Sequence, residues 1–195
     1  MKLQLILYLV FLVSCKREIV NPGSGHGDRN ETGFVEYVIV KGGHYADKST
    51  NIAVRTTAIR FSVRFDSSAI YTTTDPFNQG DINKLYGFSD CEAQHHISSA
   101  RFGWNWINLS LHLYAYCYVD SLRIEKDLGI IDIGKEYPCS IAIQSDNYIF
   151  SLNNETHTMR RSCNSDESDG YKLFPYFGGD ETAPHDVHLF IRDDK

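Results

Sequence analysis

The stretch Arg101-Phe102-Gly103-Trp104-Asn105-Trp106, followed by Leu111-His112-Leu113-Tyr114-Ala115-Tyr116-Cys117-Tyr118-Val119, decides how this chain is read. In the second segment Leu111, Leu113, Ala115, Cys117 and Val119 fall on one side, and His112, Tyr114, Tyr116 and Tyr118 on the other. A period of two is that of a strand with one face buried. The residues between the segments make a hairpin turn whose length sets the register, and a slip of one moves every side chain to the opposite face. A two- or four-residue turn opposes Asn105 to His112, Gly103 to Tyr114 and Arg101 to Tyr116, and leaves Trp104 and Trp106 with the leucines. A three-residue turn sets both tryptophans beside His112 and Tyr114. The first register is preferred, because it gives one wholly apolar face and one mostly polar face.

Outward from this hairpin the same texture continues. Short runs at 35–41, 53–65, 122–127, 130–133, 137–144, 148–152, 171–177 and 187–192 alternate with turn clusters, and residues 66–98 read as a polar loop region. Several short strands at regular spacing, with turn signals between them and no internal repeat, predict an all-β antiparallel sandwich. The chain has 195 residues, 42% hydrophobic and 23% charged, enough to bury a core. Its net charge is -6, with no long basic run, so nucleic acid is not an expected partner. Aromatic residues make up 13%, with Tyr 12 and Phe 11, and the tyrosine row above is where several of them gather.

The first residues read as an address. Met1-Lys2 precedes an apolar run from Leu3 to Val13, broken only by Gln4, too short to span a bilayer and built like a secretory signal. Leu12-Val13-Ser14-Cys15 resembles a bacterial lipobox, which implies cleavage before Cys15 and acylation of that cysteine, palmitate included. The expected organisation is a signal peptide over 1–14, a flexible tether over 15–33 containing Asn21-Pro22-Gly23-Ser24-Gly25-His26-Gly27, and a sandwich domain over 34–195. It places the protein outside the cytoplasm, tethered to a bacterial membrane through lipid, with the outer membrane, periplasmic side or cell surface left open. There Cys91, Cys117, Cys139 and Cys163 allow two disulfides in three connectivities, or Cys117 stays a buried thiol within its strand.

The run of strands, with Phe65-Asp66 closing one, Tyr148-Ile149-Phe150-Ser151-Leu152-Asn153 forming another, and a last strand able to return beside the first, resembles a concanavalin-like jelly roll. That fold hosts lectins, laminin-G-like modules, glycan hydrolases and alginate-type lyases. The chain is also similar to surface lipoproteins of Bacteroidetes-type bacteria, many of which handle glycans. The implied partner is a polysaccharide or oligosaccharide.

On the polar face Arg101, Asn105, His112, Tyr114 and Tyr116 converge. Rings to stack on sugars, with Arg and Asn to bind hydroxyls, make a glycan-binding face the leading expectation. The alternative is a polysaccharide lyase in which Arg101 neutralises a uronate carboxylate while His112 and Tyr116 move protons in a β-elimination. A third reading is a structural or adhesin-like lipoprotein with no ligand. Arg60-Phe61-Ser62-Val63-Arg64 resembles the arginine-bearing strand of alginate-type lyases, which implies Arg60 and Arg64 as further ligand residues, although Ser62 stands where their motif has a carboxylate. Lys172 and Tyr176 echo a second motif of those enzymes, with Gly178-Gly179-Asp180 in place of its Asn-Gln. Asp81, Asn83 and Asp90 offer oxygen ligands for Ca2+, and Cys91 with His95-His96 a softer alternative. The alternating carboxylate pair of a retaining glycosidase is missing.

Overall fold

The computed structural model describes residues 33–195. The expected signal segment 1–14, Cys15 and the expected tether up to residue 32 lie outside the described residues.

Twelve strands follow one another: β1 (Val35–Ile39), β2 (Ala53–Thr56), β3 (Ala58–Phe65), β4 (Asn83–Ser89), β5 (Ser99–Ile107), β6 (Ser110–Val119), β7 (Leu122–Ile131), β8 (Glu136–Gln144), β9 (Asn147–Leu152), β10 (Glu155–Arg160), β11 (Ser168–Leu173) and β12 (Val187–Asp193). They form two six-stranded sheets of order β1-β12-β3-β8-β9-β10 and β2-β11-β4-β5-β6-β7, with neighbouring strands antiparallel throughout. The last strand returns beside the first, with Val35 opposite Ile191 and Ile39 opposite Val187. The sandwich is therefore all-β and of the jelly-roll type.

The hairpin that decides the reading has the preferred register: Arg101 faces Tyr116, Gly103 faces Tyr114 and Asn105 faces His112. Its turn is Asn108-Leu109, both left-handed at φ 51° and 60°, the two-residue geometry whose twist matches that of the flanking strands. Apolar residues of β5 and β6 face inward, Phe102, Trp104, Leu113, Ala115 and Cys117 being fully buried. They meet the opposite sheet ring on ring, with Phe61–Phe102 centroids 5.5 Å apart, Phe65–Trp104 5.4 Å and Phe102–Phe150 5.2 Å. Trp106 packs partly buried against the same core.

Three differences from the sequence expectation matter for the site. Residues 53–65 are two strands: β2 joins one sheet and β3 the other, the chain crossing between them at Thr57. The region 66–98 contains β4, in the middle of the tyrosine sheet, hidden because an irregularity between Lys84 and Tyr86 breaks its alternation and buries Leu85 and Tyr86 in succession. Residues 155–160 form β10, whose polar sequence gave no strand signal. Cys91 and Cys163 form a disulfide, and Cys117 and Cys139 are buried free thiols. Among the described residues no helix is long and apolar enough to cross a membrane.

Candidate functional site

The outer face of the β2-β11-β4-β5-β6-β7 sheet carries a cleft of about 650 Å³. Lys84 from β4, Arg101 from β5, and Tyr116 and Tyr118 from β6 line it, together with Tyr171 of β11. Its walls are loops: Tyr45 with residues 49–51, Gln94-His95-His96, and Tyr176 with Gly179.

Arg101 is the centre of the arrangement. It is 5% exposed, its Nε is buried with no hydrogen-bond partner, and no carboxylate among the described residues pairs with it. Its guanidinium lies 5.3 Å from the centroid of the Tyr116 ring. Burial pulls its pKa down, offset in part by the Tyr116 and Tyr118 phenols. A second cation, the Lys84 ammonium, lies 5.2 Å from the same Tyr116 centroid and 5.7 Å from that of Tyr176, and donates to the Gly178 carbonyl at 2.7 Å. Burial, then repulsion from Arg101, pushes its pKa from 10.5 down to about 8. Two desolvated cations share one aromatic ring, neither of them ion-paired among the described residues, and Asp81 and Glu125 offset the Lys84 charge only in part, so an anionic group would find favourable charge here.

Burial shifts two further groups of the cleft toward their neutral forms. The Tyr116 phenol is pushed up to about 12, first by burial and then by the hydrogen bond with Tyr118. His95 is pushed down to about 4 by burial, Arg101 and His96. Its Nδ1 lies 2.7 Å from the Tyr171 hydroxyl, and the His96 ring meets that of Tyr118 edge-on at 5.2 Å. Tyr176 is stacked on His44 at 5.0 Å and meets Tyr45, itself 71% exposed, in a T-shaped contact at 5.0 Å. The cleft thus has a cationic floor and aromatic walls, which suits a ligand with acidic groups on a ring that stacks.

Of the residues expected from sequence, Arg101 and Tyr116 line the cleft, as do Lys172 and Tyr176 of the second lyase-like motif. Asn105, His112 and Tyr114 share their face but sit beyond the cleft lining. There Tyr114 donates its hydroxyl proton to the Asn105 Oδ1 at 3.1 Å, Asn105 donates to the Gly80 carbonyl at 3.2 Å, and His112 Nδ1 pairs with Asp127 at 2.9 Å. His112 is four residues along β6 from Tyr116, roughly 13 Å at the rise of a strand, so the two do not act on one atom.

Arg60 and Arg64 do not join the site. Both project from the outer face of the opposite sheet, where the Arg64 guanidinium packs over Phe190 at 4.7 Å and Phe34 at 5.5 Å. Alternation fixes a side of a strand, not the sheet to which the strand belongs. The calcium set is also dispersed: Asn83 and Asp90 bracket β4, roughly 20 Å apart. The Asn83 Nδ2 donates to the Tyr71 hydroxyl at 3.0 Å, its Oδ1 accepts from the Gly178 N–H, and Asp90 is ion-paired with Arg161 at 2.7 Å. Asp81 packs against Gly179, where a side chain would strike its carboxylate. Among the described residues one group of acid and sulfur ligands comes together, Asp90 with Cys91 and Cys163, and its sulfurs are spent in the disulfide.

Lys84, Tyr171 and Tyr45 were not expected in the site, Tyr118 was expected on its face without being named as a ligand, and His95-His96 were read only as metal candidates. Lys84 and His95-His96 fall within the stretch read as loop, and only the apolar residues Leu85, Tyr86 and Phe88 around Lys84 signalled a strand there.

No family model matches the sequence, and no curated protein matches it. Solved structures do. The alginate lyase AlyC3 superposes with a TM-score of 0.59 at 9% identity, covering 84% of this chain and 75% of its own. An alginate lyase from Corynebacterium sp. gives 0.52 at 9%, covering 85% and 78%. A Bacteroides ovatus mixed-linkage-glucan enzyme of glycoside hydrolase family 16 gives 0.51 at 13%, covering 81% and 78%. At these identities the likeness is one of fold, and the chain has the concanavalin-like jelly roll that these glycan-acting enzymes share.

Proposed function

We propose that this protein binds an acidic glycan in the cleft over β4, β5, β6 and β11, with Arg101 and Lys84 holding a carboxylate and the surrounding rings stacking on the sugars. The observation that carries this reading is Arg101, a buried guanidinium in the cleft floor with no acidic partner among the described residues. A buried charge is stable only when paired, and an anionic ligand supplies the missing pair. The fold's glycan-acting neighbours support a glycan ligand, and the alginate lyases among them an acidic one.

A second reading, elimination of a uronate polymer in the same cleft, is favoured by the neutral His95 and Tyr116 beside those cations. His95 would accept the C5 proton, the pair of electrons would form the C4=C5 double bond, and Tyr116 would protonate the departing C4 oxygen. In this form His112 has no part.

Both readings are tested by affinity electrophoresis of the protein through acidic and neutral polysaccharides, with ultraviolet absorbance of the conjugated product followed in parallel. Retention by the acidic polymers alone is expected. Equal retention by neutral ones, or none, would reject the acidic-glycan reading, and absence of the absorbance across several uronates would reject the elimination. The pH dependence has a definite sign. As pH rises through about 8, Lys84 loses its proton and its attraction for the ligand, so affinity declines between pH 7 and 9, and Lys84→Met flattens that profile. Folding stability moves the other way. The unfolded chain, with Lys84 near 10.5, binds more protons than the folded one between about pH 8 and 10.5, so this group's contribution to stability rises with pH there.

The tether reading belongs with this function. Phe34, where the strands begin, lies under Arg192 at 4.7 Å on the outer face of the sheet opposite the cleft. Lipidation of Cys15 would hold the protein on the outside of a bacterial membrane, with the described domain starting on the face away from the cleft. Cys15→Ser is expected to release the protein from membranes into the soluble fraction, and continued sedimentation with membranes would contradict the anchor.

A further inference from the structure

The Cys91–Cys163 disulfide closes the connection between β4 and β5 against the connection between β10 and β11, across 72 residues of sequence. Immediately after Cys91 come Gln94, His95 and His96, which form one wall of the cleft. Cys91 and Glu92 both hold left-handed backbone, at φ 56° and 53°. Non-glycine residues adopt that conformation at a cost, and two in succession persist only where the surroundings impose it. The disulfide supplies part of that constraint, yet both of its cysteines are partly exposed, within reach of an external thiol.

Below the disulfide, a second contact joins the same two connections. Asp90, one residue earlier, is ion-paired to Arg161 with both side chains fully buried, and that contact closes the same two connections from inside. The other thiols do not compete, since Cys117 and Cys139 are buried in the core and burial pushes their pKa values well up. A reductant would therefore act on this one bond, release the strained residues beyond the buried pair, and leave the sandwich standing.

We propose that the Cys91–Cys163 disulfide is a redox latch on the cleft, holding the His95-His96 wall in the binding geometry when oxidised and releasing it when reduced by an extracytoplasmic dithiol. In the step, a thiolate of the dithiol attacks one sulfur, the Cys91–Cys163 bond breaks, and the other cysteine leaves as a thiolate that takes up a proton. The second thiol of the reductant then closes on the mixed disulfide, so two protein thiols and one oxidised dithiol result. This proposal rests on the acidic-glycan reading for its consequence, though not for its structural test.

The experiment compares protein as purified, protein treated with dithiothreitol, and the Cys91→Ser/Cys163→Ser double variant. Amide hydrogen exchange is followed by mass spectrometry, and retention by the acidic polysaccharide in parallel. On reduction, exchange in 91–98 is expected to accelerate by about tenfold or more while the strands keep their protection, as for a local opening, and retention is expected to weaken in step. Unchanged protection of 91–98 would overturn the latch. So would loss of protection in all strands together, which would make the bond a staple of the whole fold. If the oxidised protein is not retained at all, the glycan reading fails, while the exchange data still decide whether the wall is latched.

Discussion

Arg101→Met is expected to abolish retention by acidic polysaccharide and to leave the thermal midpoint unchanged or higher. The two halves of that result have one cause. In the free protein the guanidinium is buried, has an unpartnered Nε and meets no carboxylate, only the Tyr116 face and a second cation nearby. Desolvating a cation without a counterion costs stability, and methionine keeps the apolar stem while removing the charge. With an anion bound, the same guanidinium becomes one half of a desolvated charge pair, and truncating such a partner costs about 2–5 kcal/mol of affinity, roughly 30-fold in Kd or more. Arg101→Lys should fall between, because an ammonium keeps the charge and loses the planar fork. Affinity by isothermal titration calorimetry and stability by differential scanning calorimetry, on the same preparations, check both halves. A variant that binds as well as the parent, or that melts many degrees lower with its binding intact, would make Arg101 a packing residue.

That the cleft sits around Arg101 and Tyr116 was legible, and the reason is local. Alternation along β6 put the tyrosines on one face, and the requirement for one wholly apolar face selected the register that opposes Arg101 to Tyr116. What was not legible depends on contacts distant in sequence. Arg60 and Arg64 alternate as cleanly as Arg101 does, but nothing within 53–65 says that the chain changes sheets at Thr57. His112 shares a face with Tyr116 and still lies outside the cleft, because the walls come from loops at 45–51, 94–96 and 176–179 whose paths only the tertiary structure sets. Lys84 was hidden by the irregular pairing of β4, where an extra residue destroys the period that marks a strand. Asp90 read as a metal ligand, since a carboxylate beside a cysteine in a polar stretch looks the same whether it faces a cation from solvent or an arginine 71 residues further on.

Asp90→Asn is expected to destabilise the fold strongly. The carboxylate is fully buried and collects five donors: Arg161 Nε at 2.7 Å, Arg161 Nη2 at 3.2 Å, the Tyr148 hydroxyl at 2.9 Å, and the N–H groups of Cys91 at 2.7 Å and Asp169 at 3.1 Å. The rest of the Arg161 guanidinium goes to the carbonyls of Ser145, Ser165 and Glu167 and to the Ser165 hydroxyl. An asparagine of the same shape turns one oxygen into an NH2 that meets donors, and leaves Arg161 buried without a counterion. Breaking a buried pair from one side costs about 3–5 kcal/mol, which for a domain of this size lowers the thermal midpoint by roughly 10 °C or more. The cost belongs to the orphaned charge more than to the bond, and that distinction can be measured. Asp90→Leu combined with Arg161→Met removes both charges, so the double variant should lose far less than the sum of the two single ones. Urea denaturation of the four proteins gives the coupling free energy. A single-variant loss within about 1 kcal/mol, the ordinary range for a surface ion pair, would show that water reaches the pair and that it is not the buried tie between the two connections. Full additivity in the cycle would show that the two side chains do not depend on each other.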